Sequence, residues 1–326
     1  MNTAVHQRRR SICVFDTAIA TDNLGDHIIM DAVWDVIDEC IGLDVDVERV
    51  ATHTYMPREL YSRLRSFELG IVGGTNILKS HMFVRANWRL RPYDALFLRN
   101  VVLLGVGWQQ YQGEIDIFSR ALFRRILSAR HLHSVRDEYT LDKLGRRMTN
   151  VVYTACPTLW QLTAERCAAI PVTQAEVVVL SVTYYRPSTT DAELARMLQQ
   201  RYARVVVWCQ QPKDRAYFEA LGLDGPFEII GDIDAYNRLL ASTSVDVVGT
   251  RLHGGIRALQ RGRRALILAI DNRAVEMART TDIPVVDRQD LAGVRGWIDA
   301  SAPVAIKLPW DGINAWKQQF RRHAAR

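Results

Sequence analysis

The chain has 326 residues, enough for two domains with well-filled cores. Apolar residues make up 48% and charged residues 24%, an ordinary globular balance, and no long apolar run is present to cross a membrane. The net charge of +6 favours anionic partners without choosing among acidic small molecules, anionic lipid and nucleic acid.

In chain order, the N-terminus is basic, but the apolar run after it is too short for a signal-peptide core, which points to the cytoplasm. Ile12–Phe15 predicts a first strand. The polar turn Asn23-Leu24-Gly25-Asp26 opens a helix, with Asp26 as its expected cap and Ile28, Ile29, Ala32, Val33 and Val36 as its apolar face. Strands follow at Val45–Val50, Phe67–Val72 and Val101–Val106. The second of these runs into Gly73-Gly74-Thr75-Asn76, and the third is closed by Gly107-Trp108-Gln109-Gln110. An amphipathic helix is expected at Ile117–Leu127, a short strand at Ser134–Arg136, and a helix from Asp137 to Gly145. Val151–Tyr153 closes this half.

After a weakly patterned link the alternation restarts with a buried strand, Val177–Val182. A capping box at Thr190-x-x-Glu193 opens the next helix. Strands at Arg204–Cys209 and Phe227–Ile230 alternate with helices at Asp214–Leu221 and Asp234–Ala241. Val245–Val248 is a β-branched run broken by Gly249-Thr250. It leads into Arg251-Leu252-His253-Gly254-Gly255 at a helix start, and then to a strand at Ala265–Ile270. A late strand at Pro284–Val286 and helices at Leu291–Asp299 and Trp310–His323 end the chain.

Strands alternating with helices, with a restart near residue 176, imply an α/β chain with mostly parallel sheets. The expected domains are residues 1–165, a first Rossmann-like domain, and residues 166–326, a second Rossmann-like domain with the C-terminal helix. Ligands of open α/β sheets sit where strands end and helices begin. Arg251 and His253 lie at such a point, beside a helix N-terminus that favours anions, with two glycines that let another group approach the backbone. Taken singly, they would be a surface charge and a core histidine. Arg136 sits at another strand exit, where an ion pair with Asp137 or Glu138 would also account for it. Five widely spread cysteines with no C-x-x-C pair indicate neither a disulfide framework nor a zinc site, and no histidine–carboxylate spacing suggests a metal.

The ordered set N-L-G-D (23–26), G-G-T-N (73–76), G-V-G (105–107), S-V-R-D-E-Y-T-L-D-K-L-G (134–145) and T-R-L-H-G-G-I-R-A-L-Q-R-G (250–262) resembles the polysaccharide pyruvyltransferase family. The resemblance implies two Rossmann-like domains facing across a cleft, a GT-B-like fold, with residues 1–165 as the acceptor side and residues 166–326 as the phosphoenolpyruvate side. It also implies pyruvyl transfer from phosphoenolpyruvate to hydroxyls of a glycan, closing a ketal and releasing phosphate, with no cofactor and no metal. Two departures stand out. The family often has three glycines where this chain has Gly73-Gly74-Thr75. It commonly has a lysine in a Y-x-x-K setting where this chain has Ile270-Asp271-Asn272-Arg273.

On that resemblance, Arg136 and Arg251 are the expected anion clamps, assisted by backbone near Leu252 and Gly254, with Arg273 as a third cation. His253 is the expected acid or base, and Asp26 its partner or a ligand of the acceptor hydroxyl. Asn23, Gly25, Gly73, Gly74 and Thr75 complete the substrate loops, and Trp108 is the expected sugar-stacking aromatic. His131 and His133 are expected to be structural or on the acceptor side. The acceptor would be a lipid-linked or nucleotide-linked sugar of cell-surface polysaccharide synthesis. The basic ends, Arg8–Arg10 and Arg321–Arg326, offer peripheral contact with the inner membrane face. Two other functions fit the same residues: a glycosyltransferase using a nucleotide sugar, and a non-catalytic anion- or glycan-binding protein. Nucleic-acid binding has no supporting motif.

Overall fold

The computed structural model describes residues 10–42 and 45–321. The first half runs β1 (Arg10–Asp16), α1 (Leu24–Ile41), β2 (Val45–Ala51), α2 (Tyr61–Leu64), β3 (Leu69–Gly73), β4 (Asn76–Leu78), β5 (Val101–Leu104), β6 (Gly107–Trp108), α3 (Ile117–Ile126), β7 (His133–Val135), α4 (Glu138–Gly145) and β8 (Val151–Tyr153). The second runs α5 (Ala164–Ala168), β9 (Val177–Ser181), α6 (Thr190–Arg201), β10 (Arg204–Trp208), α7 (Pro212–Glu219), β11 (Phe227–Ile230), α8 (Ile233–Ser242), β12 (Val245–Gly249), α9 (Leu252–Gln260), β13 (Ala265–Ala269), α10 (Asn272–Thr281), β14 (Val285–Asp287), α11 (Leu291–Asp299) and α12 (Trp310–Arg321).

The chain divides into two compact units. One comprises the described residues within Met1–Ala20, Met30–Pro157 and Pro309–Arg326, the other Thr21–Ile29 with Thr158–Leu308. A single cut near residue 165 therefore does not describe them. The last helix belongs with the first sheet because buried Trp316 donates from Nε1 to Leu103 O at 3.1 Å. Gln319 Oε1 also accepts from Leu132 N at 2.7 Å. The segment Thr21–Ile29 belongs with the second sheet because Leu24 N donates to Gln210 O at 3.0 Å, and Gln210 Nε2 donates to Asn23 Oδ1 at 2.7 Å.

In the first unit a parallel sheet has the order β2-β1-β3-β5, and two short parallel pairs, β4–β6 and β7–β8, extend it. Its core gathers Phe15, Val72, Trp88, Leu103, Trp108 and Phe123. In the second unit six parallel strands have the order β11-β10-β9-β12-β13-β14. Counted from β9, that is the strand order of dinucleotide-binding sheets, and its direction reverses between β9 and β12. Val178, Leu180, Val205, Val207, Val248, Leu266 and Leu268 fill one face of this sheet, and Val179, Val206, Val247 and Ile267 are buried on the other, which is why these strands read as continuous β-branched and leucine runs.

Some local expectations change. The Thr190 capping box does not form: Thr189 is the N-cap of α6 and makes no side-chain cap bond. The box lies instead at α7, where Gln211 and Asp214 cap reciprocally. Helix α1 starts at Leu24, so Asp26 lies inside its first turn rather than capping it. Among the described residues no helix is long and apolar enough to cross a membrane. Arg8, Arg9 and residues 322–326 of the basic ends lie outside the described residues.

Candidate functional site

In the first unit, three strand exits are tied together by backbone hydrogen bonds. Gly74 N donates to Leu104 O at 2.7 Å, Gly107 N to Thr75 O at 2.9 Å, and Arg136 N to Val106 O at 3.0 Å. The loops after β3, β5 and β7 thus form one edge at the C-terminal ends of parallel strands. Ser134 Oγ supports this edge by accepting from Gly105 N at 2.8 Å. Gly73 lets α1 lie close: a Cβ there would come within 2.5 Å of Val33 Cγ1. Gly74 and Thr75 both have left-handed backbone, at φ 60° and 53°. A β-branched residue held there is strained by about 1–3 kcal/mol. The family's third glycine would be free of that strain, and such outliers concentrate at functional loops.

Arg136 is 2% exposed. Its Nε makes a long contact of 3.4 Å to Asp137 Oδ2, while Nη1 and Nη2 are buried with no hydrogen-bond acceptor among the described residues. Asp137 itself is chiefly the N-cap of α4, accepting from Thr140 N at 2.7 Å, so it does not neutralise the fork bidentately. Asn76 is 6% exposed, and its Oδ1 also lacks a donor among the described residues. A Cβ on Gly107 would lie 2.0 Å from Asn76 Oδ1 and 2.4 Å from Arg136 Nε. Only glycine lets that amide and that guanidinium share the corner. Leaving a buried polar group unsatisfied costs about 1–3 kcal/mol, and more for a charge. A fork so placed is suited to a bidentate oxyanion.

In the second unit, Arg251 is the N-cap of α9 at the point where the strand order reverses. It is 4% exposed, and its donors are engaged internally: Nε to Val182 O at 3.3 Å, Nη1 to Gln211 Oε1 at 3.0 Å, and Nη2 to buried Asp214. Tyr185 lies under the guanidinium at 5.4 Å. The expected clamp is thus a fixture that joins β9, α7 and the start of α9. The close approach allowed by the two glycines is to the protein core. A Cβ on Gly254 would meet the Trp208 ring at 2.4 Å, and one on Gly255 would meet Ile267 at 2.5 Å. Tyr236 stacks on Trp208 at 4.0 Å and donates to Gly254 O at 2.8 Å. Leu252 and His253 form the first turn of α9, 7% and 6% exposed.

Asp26 is 6% exposed and accepts from Thr21 Oγ1 at 2.9 Å. Gly25 is close to Gln210, whose Nε2 would be 2.6 Å from a Cβ there. Arg273 is paired with Asp271 at 2.6 Å and reaches Tyr185 Oη at 3.2 Å. Burial opposes its charge, and the Asp271 carboxylate more than offsets this, holding it above the ordinary value. Trp108 is 1% exposed, edge-on to Phe123 and bonded through Nε1 to Gln112 at 2.9 Å. It packs the core and offers no face to a sugar. His133 is wholly buried: Nε2 donates to Ser128 O at 2.8 Å, Nδ1 accepts from Leu103 N at 3.3 Å, and burial pushes its pKa down to about 4. It is structural. His131 stacks on Phe320, 5.9 Å between ring centres.

Sequence reasoning put Asn76 and Gly107 in strand-exit loops without giving either a role, and missed Gln210 and Asp214 as parts of these edges. Asn76 and Gly107 stood inside quoted motifs. Gln210 follows β10 directly, a strand-exit position that could have been singled out on that ground.

The fold is similar to two solved structures. One is S. aureus MnaA with UDP, at TM-score 0.54 and 11% identity, covering 90% of this chain and 88% of that one. The other is UDP-GlcNAc 2-epimerase from Neisseria meningitidis bound to UDP-GlcNAc, at TM-score 0.51 and 13% identity, covering 96% and 98%. At such identities the likeness is of fold, and the fold is GT-B-like. Comparison with curated proteins finds no match. The family described as polysaccharide pyruvyl transferase matches residues 23–272, and with three-quarters of its length so matched, the chain belongs to that transferase family.

Proposed function

We propose that the protein transfers the pyruvyl group of phosphoenolpyruvate to two hydroxyls of a glycan precursor, forming a ketal. The observation that carries this reading is the buried Arg136 fork, whose Nη atoms have no acceptor among the described residues. Phosphoenolpyruvate carries a carboxylate and a phosphate, and either can satisfy the fork with two charge-assisted bonds. Family membership supplies the transferase chemistry.

In the proposed reaction the methylene carbon takes a proton and the adjacent carbon gains oxocarbenium character. A sugar hydroxyl attacks that carbon and loses its proton. The bond from that carbon to the bridging oxygen of the phosphate breaks, and phosphate leaves with that oxygen and the electron pair. A second hydroxyl attacks, loses its proton and closes the ketal. His253 is the proposed proton carrier, because imidazole exchanges protons near neutrality. Asp26 is the proposed ligand of an acceptor hydroxyl. Arg251 positions α9, and the anion-holding role passes to Arg136. The acceptor is a lipid-linked or nucleotide-linked sugar met in the cytoplasm, with the basic ends as contacts to anionic lipid.

Calorimetric titration of phosphoenolpyruvate tests the donor. Binding by the wild type, lost in Arg136→Ala and kept in His253→Ala with phosphate release abolished, is the expected pattern. No binding to well-folded protein refutes it. A second reading, a transferase using a nucleotide sugar, is favoured by the UDP and UDP-GlcNAc in the two similar structures and by the strand order around β9. A thermal-shift comparison of UDP-GlcNAc with phosphoenolpyruvate separates the two.

A further inference from the structure

The corner at Gly107 holds two buried groups with opposite needs. Arg136 Nη1 and Nη2 are donors without an acceptor, and Asn76 Oδ1 is an acceptor without a donor, among the described residues. Both side chains are more than nine-tenths buried, and Asn76 Oδ1 and Arg136 Nε and Cζ all crowd the Gly107 Cα. They do not satisfy each other, although a carbonyl oxygen and a guanidinium are complementary. An anion alone would answer Arg136 and leave Asn76 unanswered; an apolar group would answer neither. The group that answers both is an oxyanion with an O–H donor beside it.

We propose that Asn76 is a hydroxyl-selecting residue. Its Oδ1 accepts a hydroxyl and holds it next to the oxyanion bound by Arg136. This rests on the donor reading above and adds to it a place for the acceptor's hydroxyl within the first unit. Thr75, just before Asn76, has left-handed backbone. The main chain of Asn76 is fixed separately: its carbonyl accepts from Asn87 Nδ2 at 2.9 Å, and it pairs with Gly107 in the β4–β6 ladder. The side chain can therefore be changed with its backbone held.

Two saturated analogues of phosphoenolpyruvate provide the test. 2-Phosphoglycerate and 2-phospholactate share both anions and differ by one hydroxyl. In the wild type, 2-phosphoglycerate should bind about five- to tenfold more tightly, the range of one buried hydrogen bond. In Asn76→Leu, close in volume, the preference should vanish while 2-phospholactate affinity stays within about twofold. A second arm supplies the hydroxyl on a separate molecule: phosphoenolpyruvate is titrated with and without methyl β-galactopyranoside, and any tightening in the wild type should disappear in Asn76→Leu. Asn76→Asp, which would place a carboxylate on the fork, should weaken all three anions at least about tenfold. Absence of a hydroxyl effect in both arms, or its survival in Asn76→Leu, overturns the proposal. Failure of every anion to bind the wild type brings down the donor reading, and this inference with it.

Discussion

Replacing Arg136 by methionine should leave the stability of the unliganded protein nearly unchanged and abolish donor binding. The side chain is 2% exposed, and two of its nitrogens have no acceptor among the described residues. An unsatisfied buried polar group costs about 1–3 kcal/mol, with charge adding to that. Methionine keeps most of the aliphatic stem and relieves the unsatisfied nitrogens, but it also removes the long 3.4 Å ion pair to Asp137, which keeps its capping bond to Thr140 N. The two effects offset, so stability should stay within about 1 kcal/mol and Tm within a few degrees for a unit of this size. Phosphoenolpyruvate at 100 times its Kd should stabilise the wild type by about 2.7 kcal/mol and the variant not at all. Thermal melts with and without ligand read both effects. A variant that loses more than about 1 kcal/mol, yet still shifts with phosphoenolpyruvate, would show that the guanidinium is a structural strut and would refute the reasoning.

Arg251→Ala should behave differently. It leaves Asp214, which is 0% exposed, without its cation, and breaking a buried pair typically costs about 3–5 kcal/mol. Denaturant unfolding should show that loss; full stability with selective loss of anion binding would restore Arg251 as a clamp. His133 should make stability fall in mild acid. Burial lowers its pKa from 6.5 to about 4, so the unfolded chain binds the extra proton first. The contribution is intact above pH 6.5, declines as pH falls toward 4, and amounts to about 3 kcal/mol in all. An NMR titration of the ring checks this, and protonation near 6.5 in the folded protein would contradict it.

The alternation of buried strands and helices was legible because parallel strands covered on both faces must be apolar throughout, as β9, β10, β12 and β13 are. The motifs at the strand exits were legible as clusters of glycine, charge and histidine. Their roles were not. Arg251 and Arg136 look alike in sequence, each an arginine after a strand. One meets Gln211, Asp214 and Val182 O, residues 37 or more positions away in the chain. The other meets Asn76 and Gly107 with its terminal nitrogens unsatisfied. Trp108 follows a strand-exit glycine, the position expected of a sugar-stacking residue, and is core. Gly254 and Gly255 do admit close neighbours, but these are Trp208 and Ile267.

By itself the sequence determined the α/β class, the positions of most strands and helices, and the family, because hydrophobic periodicity and strand-exit motifs are local properties of the chain. Only the tertiary structure decided which unit holds the Asn23–Asp26 turn and the last helix, and which arginine has an unsatisfied fork. Those outcomes depend on what each side chain meets from distant segments, and a charge is either answered or left open only when the chain has folded around it.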